Sequence, residues 1–174
     1  EAGSFVLSIT EASPTPDGSA CGVAFEVASL PFEADGDTSD ATADVNFAAC
    51  GELFSGLGSA DEVYAFEATE DVELVATLSA DFDSALYALS ACSGACLAVS
   101  ELPGNDTTEQ LALSVEAGST TFFVVDGYSD AENEAGAYTL SIAEDEGGGP
   151  GPDPIEAEVV VSGFAFQPME LTVP

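Results

Sequence analysis

Every charged side chain in this protein is an acid. The sequence has 33 Asp plus Glu among 174 residues and no Lys, Arg or His. A Ser-His-Asp triad needs His, and a Schiff base or a lysine-activated serine needs Lys. A phosphate-binding loop of the usual kind also needs Lys. The one mechanism these residue types allow is a carboxylate pair of the glycosidase kind. With so many acids some pair stands at a suitable spacing anywhere, so that pattern assigns nothing, and the chain is read as not an enzyme.

Carboxylates do suit a hard cation, which takes several oxygen ligands converging from loops. Four acidic loops offer candidates for calcium: Asp81 with Asp83; Asn105 with Asp106; Asp126 with Asp130, Glu132 and Glu134; and Asp35 with Asp37 and Asp40. None follows the EF-hand register, which requires Gly at loop position six and a closing Glu. Asp and Asn also belong in turns for backbone reasons alone, so any single loop is read first as solvated turn residues, while the uncompensated charge favours a cation site in at least one of them. Asn105-Asp106-Thr107 fits a glycosylation sequon, a short pattern of little weight. Tyr64, Tyr87, Tyr128 and Tyr138 could line a polymer-binding face, although strand aromatics more often pack in a core.

The formal net charge is -33 at pH 7. Self-repulsion of that size must be offset by burial, by salt or by bound cations. Nucleic-acid binding is excluded in practice, because phosphate neutralisation needs Lys or Arg, and anionic membrane surfaces are disfavoured for the same reason. No apolar run approaches the roughly 18 to 20 residues that a membrane helix needs, so no membrane insertion is expected. High charge also suggests disorder, but Val, Leu, Phe and Ala at strand spacing argue for a packed core.

Cys21, Cys50, Cys92 and Cys96 make an even set in a Gly-rich, loop-rich chain, which reads as two disulfides in an oxidising compartment. Three pairings are open. The favoured one joins Cys92 to Cys96 as a local clip and Cys21 to Cys50 as the longer tie. A four-cysteine zinc site is disfavoured because Cys21 and Cys50 lack a short partner spacing. The first residue is Glu1 and no signal peptide is visible, so a secreted or cell-surface location is expected from cysteines and composition.

The elements that would position these residues are strands. Residues 63–68 put Tyr64 and Phe66 on one face, and residues 72–78 put Val72, Leu74, Ala76 and Leu78 on one face with Glu73 and Thr77 on the other. Leu111, Leu113 and Val115 alternate with Ala112 and Ser114. Residues 121–125 are apolar on both faces, as a central strand should be. Gly and Asp clusters fall between these runs and no amphipathic helix is evident. The expected fold is all-β, an antiparallel β-sandwich.

A repeat sets the boundaries. Residues 1–11 and 134–144 are identical at seven of eleven positions, with Phe5, Leu7 and Ile9 aligned on Tyr138, Leu140 and Ile142. Residues 1–12 are therefore read as the end of a preceding similar repeat, followed by a linker at 13–18 and the main sandwich at 19–144. A Gly/Pro linker spans 145–155. Residues 156–174 open a further β segment, incomplete by itself because a lone strand pair cannot bury its faces.

The central region resembles the bacterial pre-peptidase C-terminal domain family. The resemblance rests on Asp61-Glu62-Val63-Tyr64-Ala65-Phe66, on Asp81-Phe82-Asp83-Ser84-Ala85-Leu86-Tyr87, on Phe122-Phe123-Val124-Val125-Asp126-Gly127-Tyr128 and on Gly136-Ala137-Tyr138-Thr139-Leu140-Ser141-Ile142, in order over about residues 19–144. It implies a jelly-roll-like sandwich, secreted, non-catalytic, appended to proteases and other exported proteins, and in some members calcium-binding. It also implies that the 81–83 turn lies near the next acidic loop, which makes Asp81, Asp83, Asn105 and Asp106 the first-choice calcium residues and Asp126 with Asp130 the second. The tail, with Gly163-Phe164-Ala165-Phe166-Gln167-Pro168 before Leu171-Thr172-Val173-Pro174, is similar to the opening of a plastocyanin-like cupredoxin. That family's copper ligands lie further along, Met169 sits too early to be one, and no copper site is expected in this chain.

These readings converge on an extracellular accessory module whose partners are neighbouring domains and an extracellular polymer or protein surface. Two alternatives remain: the accessory region of a secreted protease whose catalytic domain lies elsewhere, and a structural surface or filament protein.

Overall fold

The computed structural model describes residues 15–43, 45, 50, 59–92, 95–105, 107–128 and 134–145. The repeat copy at 1–11, residues 146–155 of the second linker and the tail at 156–174 lie outside them, as do Asp106, Asp130 and Glu132.

Among the described residues nine strands form two sheets. They are β1 (Phe25–Glu26), β2 (Phe32–Asp37), β3 (Glu62–Glu67), β4 (Val72–Ala80), β5 (Ser84–Leu89), β6 (Cys96–Glu101), β7 (Thr108–Val115), β8 (Thr120–Gly127) and β9 (Ala137–Glu144). One sheet runs β1-β3-β8-β5-β6 and the other β2-β9-β4-β7. All pairings are antiparallel except the two-residue parallel contact of β1 with β3. The described residues otherwise contain only two single-turn 3-10 helices. The all-β sandwich expected from the sequence is the observed architecture.

Period-two alternation explains the main core. Leu74, Ala76 and Leu78 of β4, Leu111, Leu113 and Val115 of β7, and Tyr138, Leu140 and Ile142 of β9 all face the opposite sheet. Tyr64 and Phe66 of β3 and Phe123 and Val125 of β8 meet them from the other side. Burial of such side chains contributes roughly 1.5–3 kcal/mol each before entropy is counted. β8 is the middle strand of its sheet, between β3 and β5, which accounts for its apolar residues on both faces.

The five-stranded sheet is buried on its outer face as well. Val63, Tyr87, Leu89, Val124 and Val45 form a second, smaller cluster there, against which all four cysteines pack. The disulfides join Cys21 to Cys92 and Cys50 to Cys96, with Cα atoms 5.7 and 5.0 Å apart. This corrects the expected pairing. A Cys92–Cys96 clip would close only the β5–β6 turn. The observed bridges span 71 and 46 residues and fasten Cys21 and Cys50 to that turn, over the apolar outer face. Longer closed loops remove more entropy from the unfolded chain.

A second correction concerns residues 35–40, expected as an acidic loop. Asp35 and Asp37 stand on the solvent side of β2, an edge strand whose alternate positions Phe32, Ala34 and Gly36 are half-buried. Gly36 is required there because a Cβ would run into the Tyr138 ring on the neighbouring strand. Only Thr38–Asp40 forms a turn, with the Asp37 carboxylate accepting from the Ser39 N–H at 2.9 Å.

Candidate functional site

The carboxylates of the chain divide into those that brace loops, a buried pair, and those that rim an open groove. Asp83 belongs to the first kind. Its Oδ1 accepts from the Gly104 N–H at 2.9 Å, and its carbonyl accepts from the Tyr128 N–H at 2.9 Å. The 81–83 turn therefore does meet the 102–107 loop. Asp81 faces elsewhere, its carboxylate lying against Gly136 at the start of β9. The two aspartates thus serve different loops. Asn105 lies in the turn beside Gly104, and Asp106 is outside the described residues.

Glu109, which sequence reasoning passed over, is the best-held carboxylate in this region. It is fully buried, and it accepts from Ser100 Oγ at 2.7 Å, the Leu102 N–H at 2.9 Å and Thr107 Oγ1 at 3.3 Å. It thereby closes the β6–β7 connection from inside. Burial raises the pKa of Glu101, with Glu109 and Asp83 adding like charge.

The buried pair lies on the outer face of the five-stranded sheet. Glu62 pairs with Val125, so Asp61 and Asp126 are the next residues along β3 and β8. Both are almost wholly buried. Asp61 accepts from the Val45 N–H at 3.0 Å, and Asp126 from its neighbour Gly127 at 2.6 Å. Burial, then the Asp61 carboxylate and more weakly Glu134, push the Asp126 pKa up to about 9, against the opposing pull of the Gly127 N–H and the Tyr87 hydroxyl. Asp126 therefore holds a proton at neutral pH. Tyr87 is driven well above the ordinary phenol value, by burial first and then by Asp126 and Asp61. Asp126 was a sequence candidate. Its partner Asp61 was visible only as the first residue of a family-like strand, since burial does not show in residue type.

Among the described residues no three acidic or cysteine side chains converge as a metal site would require. Asp81 and Asp83 turn toward different loops, and Asp106 of the same candidate set lies outside the described residues.

The groove runs along the side where β1 and β2 cross between the sheets, through the cis Leu30–Pro31 peptide. Its upper cleft, about 400 Å³, has Phe25, Phe32, Ala34 and Tyr64 as apolar walls with Asp35 and Glu62 beside them. The Phe25 and Phe32 rings sit 5.3 and 5.8 Å from that of Tyr64. Behind this cleft Tyr138 donates to Glu62, and the Tyr64 and Tyr138 hydroxyls stand 2.7 Å apart. Since Tyr138 has one proton to give, Tyr64 donates to Tyr138. Burial raises the pKa of Glu62 more than the Tyr138 hydrogen bond lowers it, and Asp37 adds to the rise. Of the four tyrosines considered for a polymer face, Tyr64, Tyr87 and Tyr138 are buried. The aromatic wall of the groove is built from Phe25 and Phe32 packed on Tyr64.

No family model matches the chain, and no curated protein matches it. Among solved structures, the chain is similar to the pre-peptidase C-terminal domain of a collagenase from Bacillus anthracis, at 15% identity with a TM-score of 0.46, covering 68% of this chain and 93% of that one. It is also similar to a structure described as "CBM4 structure and function", at 14% identity with a TM-score of 0.30, covering 62% of this chain and 89% of that one. Likenesses this distant carry no argument about function, and the sandwich stands on its own strand pairing.

Proposed function

We propose that this chain is a non-catalytic accessory module of a secreted multidomain protein, a disulfide-stapled sandwich that spaces or binds. The observation that carries the reading is the pair of long-range disulfides, Cys21–Cys92 and Cys50–Cys96, closed over the outer face of a sheet. Bridges of this kind form and persist in oxidising compartments. The residue types present support the non-catalytic half, since the chain has no His or Lys. The loop carboxylates Asp83 and Glu109 are engaged as internal acceptors. The proposal includes a preceding sandwich ending near residue 12 and a cupredoxin-like domain opening near residue 156 as neighbours. The protease-accessory reading shares this module and differs only in those neighbours.

The test is a thiol titration of denatured, unreduced protein exported by a cell that leaves its disulfides as formed. No free thiol is expected, and peptide mapping should return the two bridges named above. Four free thiols, or a Cys92–Cys96 bridge, would sink the reading.

Calcium binding belongs to the same proposal, with Asp61 and Asp126 preferred over Asp81 and Asp83 because their neighbouring carboxyl groups repel each other; the cation would take the place of the Asp126 proton. Thermal unfolding with calcium or with chelator at equal ionic strength tests it, because a ligand of the native state stabilises by mass action. A calcium-specific rise that Asp126→Asn abolishes and Asp83→Asn leaves intact supports the buried pair. An equal response to every salt removes calcium from the proposal.

A further inference from the structure

The sandwich is open along the side where β1 and β2 lie. Three clefts follow one another along the β1–β2 side, of about 400, 180 and 510 Å³, the last two sharing Leu30 and Glu144. Their apolar lining comes from half-buried residues at the core margin, chiefly Phe25, Leu30, Phe32, Ala34 and Val72. β2 ends its sheet, so one edge of residues 32–37 pairs with β9 and the other has no strand partner among the described residues. An unpaired edge beside an apolar groove is the arrangement to which an extended peptide adds as a further strand.

The rim specifies the peptide. Asp35 and Glu62 border the upper cleft, and Glu67, Glu70 and Glu144 border the lower ones. No basic side chain exists anywhere in the chain to neutralise them. A second copy would bring the same acids to the same place, which like-charge repulsion opposes. A partner strand with Lys or Arg alternating with apolar residues satisfies both surfaces, apolar side chains in the clefts and cations on the rim. We infer that the β1–β2 groove, with the free edge of β2, is a docking site for an extended basic segment of another protein. This deepens the binding-module reading and rests on it, and it names the chemistry of the partner.

The probe is a nine-residue peptide alternating Lys and Val, with a Glu/Val counterpart as control, titrated calorimetrically into the full chain near physiological salt. Saturable one-to-one binding of the Lys peptide is expected, with slowed hydrogen exchange at residues 32–37. Ala34→Arg, which places a cation in the groove, should weaken binding about tenfold, whereas Ala112→Arg, the same charge change on exposed β7, should alter it less than about twofold. If Ala34→Arg fails to fold, Glu67→Gln on β3 should weaken binding more than Glu101→Gln on β6, at the far edge of the same sheet. Equal effects of near and distant changes would mean a diffuse field and overturn the proposal. So would absence of binding, or binding only after removal of residues 1–14, which would make that segment the occupant. The thiol titration is independent of these outcomes, so failure of the docking site and failure of the module reading remain distinguishable.

Discussion

At the scale of single residues, the acids that matter are the buried ones, and their burial has a sign. The Asp126 pKa stands at about 9 against an ordinary carboxyl value of 3.8, so between those values the folded state holds a proton that the unfolded state has lost. Stability from this group is fully present below about pH 4 and declines as pH rises toward 9, by at most about 1.4 kcal/mol per pH unit. Asp126→Asn keeps the neutral shape and has no proton to lose. Denaturant unfolding of the variant between pH 5 and 8 should therefore give a flatter profile, with greater stability than the parent at pH 8. Parallel profiles would mean that Asp126 ionises like an exposed acid. Glu109 acts through the donors that it holds inside the β6–β7 connection. Glu109→Ala should cost about 2–3 kcal/mol by stranding the Ser100 hydroxyl and the Leu102 N–H, read as a lower urea midpoint at unchanged slope. The sequence did single out Asp126, but for its loop rather than its burial. Glu109 shares the parity of Leu111, Leu113 and Val115, so its inward side was readable; it was passed over because an acid ahead of an apolar run reads as the end of the strand.

At the scale of elements, the strands with clean period-two alternation were legible, and β4, β7 and β9 face the core as their patterns require. β2 was not, because acids at every second position of an edge strand read as a polar loop when Gly36 stands among them. The cover over the outer sheet face was not legible either. Cys92 and Cys96 are close in sequence, and only the position of the β5–β6 turn beside Cys21 and Cys50 shows why each bonds away from the other. The double variant Cys21→Ala/Cys92→Ala removes a tie spanning 71 residues and should cost about 4 kcal/mol by the loop-entropy relation. Limited proteolysis should then cut first between residues 21 and 61, while the β4–β9 ladder keeps its exchange protection. Uniform loss of protection would show that the cover and the sandwich unfold as one unit. Gly36→Ala tests β2 itself: displacing the Tyr138 ring should destabilise by about 1–3 kcal/mol, as overpacking does, and should also weaken the Tyr138 contacts with Glu62 and Tyr64.

At the scale of the whole molecule, what governs stability is a charge with no counterpart. A formal net charge of -33 with no basic side chain leaves solvent ions as the screening agent for every exposed acid. The unfolded chain spreads those charges apart, so repulsion selectively penalises the compact state. Raising ionic strength from about 0.01 to 1 M shortens the screening length from about 30 to 3 Å, below the spacing of most surface carboxylates. The thermal midpoint should accordingly climb steeply at low salt and level off toward 1 M, equally for sodium and potassium chloride at matched ionic strength. The buried pair is shielded from that field, so Asp126→Asn should shift the whole salt curve without changing its shape. A midpoint indifferent to salt would mean that the acids are spaced widely enough for water alone to separate them. A different curve shape in the variant would mean that Asp126 belongs to the surface field rather than to the core.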